Sequence, residues 1–235
     1  MTTPKGPPGR GAGGGSAEPA GAARERASLV AFGRQLVADG LVDGMSGNLS
    51  ARTGDLVAIT PSGVAYSDIG PAAICLVRLA DGSTVGGGRP STETPMHLAV
   101  YQATDAAAIV HTHSPFVVAL STVLDELPAV HYAMAGLGGP VRVAPYARFG
   151  TGELAASAVT GLAGRTAVIL ASHGALTYGA TLGQAYDRAR TLEWLARVYW
   201  YARQAGSPRT LTVAQLDEVR DTIREIGYGE ASQDG

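Results

Sequence analysis

Two histidines spaced two residues apart, His111 and His113, follow an apolar run at residues 107–110 that is typical of a buried strand. Residues two apart on a strand point to the same face, about 6.5 to 7 Å from each other, so both imidazoles can reach one ion. A third histidine, His173, follows another apolar run at residues 168–171. Three imidazoles around a divalent ion leave a coordination position open, as in catalytic zinc sites. This pattern predicts a metal site rather than three separate hydrogen-bonded core histidines.

A carboxylate, Glu93, stands in the turn Ser91-Thr92-Glu93 that precedes a predicted helix. In that place it could serve only to stabilise the N-terminus of the helix. Beside a metal it becomes the candidate acid/base, because histidines that bind the ion cannot also transfer protons. His97 lies four residues later on the same helix face. We assign His97 and the loop residue His131 to structural or outer-shell roles.

Three short turns combine glycine or small polar residues with hydroxyl groups: Gly47-Asn48, Ser62-Gly63 and Ser91-Thr92. Each is an ordinary turn when taken alone, and none has the spacing of a nucleotide-binding loop. Together they are typical of an anion pocket, in which backbone N–H groups and hydroxyls bind a phosphate without a lysine. Tyr132 lies in a loop, where a tyrosine is most often a packing or interface residue.

Helical and strand patterns alternate along the chain and would position these residues. Helices are predicted at about 23–39, 94–103, 115 onward, 151–162, 181–204 and 212 onward, and strands at 56–60, 74–79, 107–113, 141–144 and 168–171. Residues 44–50 are predicted to form a turn, and Ser114 to cap the third helix with its hydroxyl. Hairpin turns at Gly54 and at Asp81-Gly82 add antiparallel pairs. The fold class predicted is therefore α/β, a single domain with a mixed central β-sheet flanked by helices.

Composition is that of a soluble globular protein, with 235 residues, 46% hydrophobic residues and a net charge of −2. This charge gives no electrostatic basis for binding nucleic acid. No apolar run approaches the roughly 20 residues of a membrane helix, so no membrane association is expected. Residues 1–21 contain eleven glycines or prolines and are predicted to be a disordered tail before a domain at 22–235. The single cysteine, Cys75, and the absence of a secretory signal predict a cytoplasmic protein.

Taken together, these motifs resemble class II sugar-phosphate aldolases of the L-fuculose-1-phosphate aldolase type. That group also contains ribulose-5-phosphate 4-epimerases and adducin head domains. The resemblance spans about residues 29–228 and is carried by ordered motifs: GNLS at 47–50, ITPSG at 59–63, PSTE at 90–93, VHTH at 110–113, PAVHY at 128–132, APYARFGT at 144–151 and HG at 173–174.

The resemblance implies a Zn²⁺ ion, or another divalent metal such as Mn²⁺ or Co²⁺, on His111, His113 and His173, with Glu93 close to it and acting as catalytic acid/base. It implies a phosphate site formed by six residues: Gly47, Asn48, Ser62, Gly63, Ser91 and Thr92. Met45 stands where the fuculose enzymes carry a small hydroxyl residue, and Ser46 beside it offers a hydroxyl instead.

The resemblance also implies a cyclic homotetramer with active sites between subunits. Tyr132 would reach in from a neighbouring subunit and handle the proton on the aldehyde oxygen. Phe149 and Tyr228 would line the substrate pocket.

The activity implied is the reversible cleavage of a ketose 1-phosphate into dihydroxyacetone phosphate and a short aldehyde. L-fuculose 1-phosphate and a 5-deoxypentulose 1-phosphate are both suitable substrates. The metal would act as Lewis acid, so no Schiff-base lysine is required, and Lys5 is the only lysine in the chain. The 4-epimerases carry an aspartate at the position of Glu93, which favours the aldolase. The alternatives are a 4-epimerase, dehydratase or decarboxylase acting on a related sugar phosphate, or an inactive adducin-like scaffold.

Overall fold

The computed structural model describes residues 21–226, and strands and helices alternate along most of that range. Six α-helices are described: α1 Ala22–Ala38, α2 Thr94–Ala103, α3 Pro115–Ser121, α4 Gly152–Gly161, α5 Leu182–Ala205 and α6 Val213–Glu225. Nine strands are described: β1 Asn48–Thr53, β2 Leu56–Ile59, β3 Cys75–Arg78, β4 Thr84–Gly86, β5 Ala108–Thr112, β6 Glu126–Leu127, β7 Val141–Ala144, β8 Ala167–Leu170 and β9 Gly174–Gly179. Two 3₁₀ helices, Pro71–Ala73 and Tyr132–Leu137, complete the elements. The predicted tail, apart from Gly21, lies outside the described residues.

The strands form one sheet in the order β4-β3-β2-β1-β5-β9-β8-β7-β6. Strands β7 and β8 run parallel, and every other neighbouring pair is antiparallel. The predicted α/β domain with a mixed sheet is therefore confirmed. Strand β5, which carries His111, lies at the centre between β1 and β9.

Helices cover both faces of this sheet, because its central strands bury side chains on both sides. On β5, Ala108 and Val110 pack with α1 and the start of α5, whereas Ile109 packs with α2 and α4. A third apolar cluster joins α3, the second half of α5 and α6 to β8. None of the helices in residues 21–226 is long and apolar enough to cross a membrane.

Helix α3 begins after Ser114 as predicted, but the serine hydroxyl does not cap it. The hydroxyl of Ser114 is buried and has no hydrogen-bond partner. Instead, the backbone N–H groups of Phe116 and Val117 each donate to a carboxylate oxygen of Glu193, both at 3.0 Å. The prediction of a serine cap was wrong because Glu193, far away in sequence, supplies two acceptors at once.

Two strand assignments also differ from the sequence prediction. The predicted turn at 44–50 already includes the start of β1, since Asn48 to Ser50 pair with β5. Strand β9 was not predicted, because its sequence begins and ends with glycine and resembles a loop. Both differences concern the site, because β1 and β9 flank the strand of His111.

Candidate active site

Four side chains predicted to surround a metal converge at one edge of the sheet. His111 is the fourth residue of β5, and His113 follows that strand directly. His173 lies in the tight turn between β8 and β9, and β9 pairs with β5, so this turn comes next to the end of β5. Glu93 precedes α2 at its N-terminal cap position. The atoms of these residues that could bind an ion all lie within 4.8 Å of one another.

Three short contacts join the imidazoles and the carboxylate of this cluster. Nε2 of His111 lies 3.0 Å from Oε2 of Glu93 and 3.0 Å from Nε2 of His113. Nε2 of His173 lies 3.3 Å from Oε1 of Glu93. That oxygen is buried and makes no hydrogen bond. The same edge of each imidazole therefore points to a common centre.

The backbone around the cluster is fixed by unusual local geometry. Ser172 is the only described non-glycine residue with a positive φ, at 53°, and its N–H donates to the hydroxyl of Ser121 at 2.9 Å. Gly174 allows β9 to lie so close to β5 that a β-carbon at this position would collide with the carbonyl oxygen of Thr112. These two residues hold His173 in the turn, where it faces the end of β5.

The orientation of His111 follows from one hydrogen bond. Its Nδ1 lies 2.9 Å from the backbone carbonyl of Ala175, which can only accept, so Nδ1 carries the hydrogen. In the neutral form of the imidazole, Nε2 then keeps its lone pair and faces the cluster, as in metal-binding histidines held by an outer hydrogen bond.

Protonation in the cluster is governed by burial and by mutual charge. Burial and the positive charge that His111 can carry lower the pKa of His113 to about 3 and that of His173 to about 4. Burial works against ionisation of Glu93, but the charge and hydrogen bond of His111 and the hydrogen bond of Asn48 outweigh it and hold its pKa below the usual range. Burial likewise opposes a charge on His111, yet Glu93 raises the pKa of that imidazole.

Next to Glu93 lies a second set of buried polar side chains. Nδ2 of Asn48 donates to Oε2 of Glu93 at 2.9 Å, and Oδ1 of Asn48 lies 2.6 Å from Nε2 of His97. Nδ1 of His97 lies 2.7 Å from the hydroxyl of Ser50, which lies 2.8 Å from that of Tyr101. Burial and the charge of His111 lower the pKa of His97 to about 3.

Sequence reasoning assigned His97 to a structural or outer-shell role but missed Ser50 and Tyr101. A signal was present in their spacing. Asn48 and Ser50 are two apart on one strand, and His97 and Tyr101 are four apart on one helix, so each pair shares a face. What the spacing does not show is that these two faces meet.

The converging side chains open into a cavity of about 240 Å³. Glu93, His113, His173 and Phe149 line it, while His111 is fully buried behind them. All six residues predicted to bind phosphate also line this cavity: Gly47, Asn48, Ser62, Gly63, Ser91 and Thr92. No lysine or arginine occurs among the described residues of its lining.

Met45 and Ser46 lie at the edge of the same cavity. Met45 is 58% exposed. The hydroxyl of Ser46 donates to the carbonyl of Asp43 at 2.7 Å and accepts from the backbone N–H of the same residue. Because its hydrogen is already used in this turn, Ser46 does not offer a free donor in place of the family's small hydroxyl residue.

Comparisons with known proteins agree with this geometry. Residues 27–200 match the family described as the class II aldolase and adducin N-terminal domain. The match covers well over half of the chain. The chain belongs to this family.

Two of the relatives to which this chain is similar are named as aldolases. The 5-deoxy-D-ribulose 1-phosphate aldolase of Bacillus thuringiensis is 37% identical over 211 residues, which cover 88% of this chain and 98% of that protein. The 5-methylthioribulose-1-phosphate/5-deoxyribulose-1-phosphate aldolase of Rhodospirillum rubrum is 37% identical over 210 residues, 88% of this chain and 94% of that protein. A solved L-fuculose 1-phosphate aldolase has a TM-score of 0.83 at 36% identity, covering 86% of this chain and 96% of that one. The predicted relationship to aldolases is confirmed.

Of two further residues that the family resemblance placed at the site, one is exposed in this chain and the other lies outside the described residues. Tyr132 begins the second 3₁₀ helix, is 58% exposed and does not line the cavity of its own chain. Tyr228 lies outside the described residues. His131 accepts a hydrogen bond from the N–H of Ala133, and its ring packs against Trp194 at a centroid distance of 4.8 Å.

Proposed function

We propose that the protein is a divalent-metal-dependent aldolase that reversibly cleaves a ketose 1-phosphate into dihydroxyacetone phosphate and a short aldehyde. The observation that carries this proposal is the cavity itself. His113, His173 and Glu93 line one part of it, with His111 buried behind them, and glycines and hydroxyl residues form much of the rest. The relatives favour a 5-deoxypentulose 1-phosphate over L-fuculose 1-phosphate, since two of them, which align over nearly their whole length, are named for 5-deoxyribulose 1-phosphate.

A divalent ion fits the residues that meet there. Nε2 atoms of His111 and His113 face each other at 3.0 Å, and Oε1 of Glu93 is buried without a hydrogen bond. With the imidazoles neutral, these lone pairs lack a positive partner, and a cation held by the imidazoles would supply one. Three histidines suit Zn²⁺, and also Mn²⁺ or Co²⁺. When bound, the metal would act as a Lewis acid on the carbonyl and hydroxyl oxygens of the ketose and stabilise developing negative charge.

The phosphate of the substrate would bind to neutral groups. Ser91 is well placed for this, because its hydroxyl accepts from the N–H of Glu93 at 3.2 Å and keeps its own hydrogen for the ligand. Gly47 and Gly63 adopt positive φ angles of 71° and 70°, which bend the backbone as in anion-binding turns. The phosphate would thus be bound next to the carboxylate that transfers the proton.

We assign the transfer of the proton at the substrate carbon to Glu93. Its Oε2 already accepts from Asn48, whereas Oε1 has no hydrogen-bond partner. Breaking the carbon–carbon bond releases the proton of the hydroxyl that becomes the aldehyde and leaves an electron pair on the carbon of the phosphate half. Glu93 takes up a proton from solvent, in balance with the one released, and its Oε1 delivers it to that carbon. In the reverse direction the same oxygen removes the proton. The cavity wall limits access of water to this atom.

The second proton-transfer group is proposed to come from another copy of the chain. The aldehyde oxygen needs a partner for its proton, and Tyr132 is exposed and does not line the cavity of its own chain. We propose that the partner subunit's Tyr132 serves there, within a cyclic homotetramer. A cytoplasmic location is part of the same proposal and is supported by the buried, unpaired thiol of Cys75.

A panel of ketose 1-phosphates tests this function. Metal-loaded protein should release dihydroxyacetone phosphate from 5-deoxyribulose 1-phosphate faster than from L-fuculose 1-phosphate. Ribulose 5-phosphate serves as the control substrate, because a 4-epimerase would convert it to its epimer without carbon–carbon cleavage. Formation of an epimer, a dehydrated sugar or carbon dioxide without dihydroxyacetone phosphate would show that the protein catalyses another reaction of the family and is not an aldolase.

A further inference from the structure

We infer that four buried side chains behind Glu93 form a positioning chain that aims this carboxylate at the substrate: Asn48, His97, Ser50 and Tyr101. Each member contacts the next within 2.6 to 2.9 Å. The inference rests on the proposed function, in which Glu93 transfers a proton. It adds that this proton transfer depends on His97, Ser50 and Tyr101, which do not line the cavity.

The direction of every hydrogen bond in the chain follows from its first member. An ionised Glu93 only accepts, so the amide nitrogen of Asn48 must face it and the amide oxygen must face His97. That oxygen also only accepts, so Nε2 of His97 carries a hydrogen. Nδ1 of a neutral imidazole then accepts, and the hydroxyl of Ser50 donates to it. Tyr101 in turn donates to Ser50.

Burial excludes the charged form of His97 that would break this order. The ring is fully buried, and its two polar contacts, Asn48 and Ser50, are both uncharged. A positive charge without a direct counterion in such surroundings is strongly unfavourable. The imidazole is therefore a neutral relay with one donor and one acceptor, and the order of donors from Tyr101 to Glu93 is unique.

The positioning chain restricts the orientation of the Glu93 carboxylate. Asn48 and Ser50 belong to β1, while His97 and Tyr101 belong to α2, so the chain ties the helix that follows Glu93 to the central sheet. Oε2 is held by Asn48 and also lies 3.0 Å from Nε2 of His111. This leaves Oε1, which lies 3.3 Å from Nε2 of His173 and makes no hydrogen bond, as the oxygen that can exchange a proton. Without the positioning chain, the Glu93 carboxylate could rotate, and Oε1 would no longer be the oxygen that is reserved for proton transfer.

Substitutions along the chain test this role. His97→Leu should lower kcat by about 10- to 100-fold, as expected when an outer-shell partner is lost, with KM and bound metal unchanged. Ser50→Ala should lower kcat less, and Tyr101→Phe least, because they lie farther from Glu93. His97→Gln can still donate to Asn48 and should recover part of kcat, whereas the shorter side chain in His97→Asn should not.

A matched control lies on the same helix. Thr104 follows the last residue of α2, and its hydroxyl donates to the carbonyl of Val100 at 2.7 Å, at the opposite end of the helix from Glu93. Thr104→Val removes a hydrogen bond from α2 and should leave kcat unchanged. Equal losses in Thr104→Val and His97→Leu, equal activities of His97→Gln and His97→Leu, or a loss of metal in parallel with kcat would each show a merely structural role and overturn the proposal.

A measurement without turnover keeps the proposal testable if His97→Leu does not fold. Nitrogen-15 NMR of histidine-labelled, zinc-loaded protein should show His97 protonated on Nε2 and unprotonated on Nδ1, with the signal assigned by its loss in His97→Gln. In Tyr101→Phe the tautomer should persist while the Nδ1 signal shifts. A hydrogen on Nδ1 would reverse the chain and overturn the inference. Failure of every ketose 1-phosphate to be cleaved would instead refute the proposed aldolase while leaving this tautomer result intact.

Discussion

The α-carbon of Gly47 lies against the backbone of His111, so that a methyl group on this glycine would stand 2.6 Å from the carbonyl oxygen of His111. The φ angle of Gly47 is 71°, which L-residues other than glycine rarely adopt. The turn expected to bind phosphate thus rests directly on the strand expected to bind metal. A change in one must displace the other.

Gly47→Ala should therefore lower both stability and activity. The positive φ alone costs about 1 to 2 kcal/mol, and the contact with His111 adds to it. Gly54→Ala is the matched control, because Gly54 also has a positive φ, of 61°, but nothing lies within 4 Å of an added β-carbon. Thermal unfolding and kcat of both variants give the comparison. Similar losses in the two proteins would mean that the contact with His111 is unimportant.

Glu93→Gln separates proton transfer from binding. The amide keeps the size of the side chain but cannot carry the proton, so kcat should fall by about 10² to 10⁴. Metal content and thermal stability should persist, since the three histidines remain. Solvent exchange of the proton on dihydroxyacetone phosphate, followed by NMR in D₂O, should stop. Exchange at the native rate would show that Glu93 only stabilises the N-terminus of the helix. Tyr132 would then be the first candidate for the base.

His113→Ala should remove the bound metal and the activity together. Wild-type protein is expected to hold about one divalent ion per chain, measured by elemental analysis after dialysis. The control is His131→Gln, which changes a histidine outside the cluster and should keep the ion. Full activity after exhaustive chelation would contradict a metal-dependent reaction.

Mixing two inactive variants tests the intersubunit site. Tyr132→Phe and Glu93→Gln should each be slow, because each homotetramer lacks one proton-transfer group at every site. When the two are unfolded and reassembled together, some sites combine an intact Glu93 with an intact partner tyrosine, and activity should reappear. Light scattering checks the assembly. No gain in activity from mixed tetramers would place the second proton-transfer group within one chain.

The central features of the site could be predicted because their signals are local. The spacing of His111 and His113 on an apolar run marks a strand with two side chains on one face, and β5 has that form. Away from the site, Thr212 followed three residues later by Gln215 is a sequence pattern that marks a helix start, and α6 begins there with both hydrogen bonds of the cap present. Such patterns depend on neighbours in sequence.

Features that depend on distant partners could not be predicted. Glu193 caps α3 from 77 residues away, so the local serine was a misleading signal. Asn48 contacts His97 across 49 residues and was assigned to phosphate binding alone. Strand β9 lacked a strand pattern because close packing against β5 requires Gly174, a residue that disfavours strands in general. Tertiary contacts decided each of these cases.

The absence of lysine and arginine from the described lining of the 240 Å³ cavity affects how substrate and protein meet. A phosphate bound by lysine or arginine is drawn in by long-range attraction, which added salt weakens. The described lining residues include no such cationic side chain. The substrate therefore reaches the cavity by diffusion, and short-range contacts bind its phosphate there. KM should then change little between low and physiological ionic strength, and the phosphate product should leave without separating an ion pair. Rapid turnover is easier to achieve with such weak retention than with tight electrostatic binding.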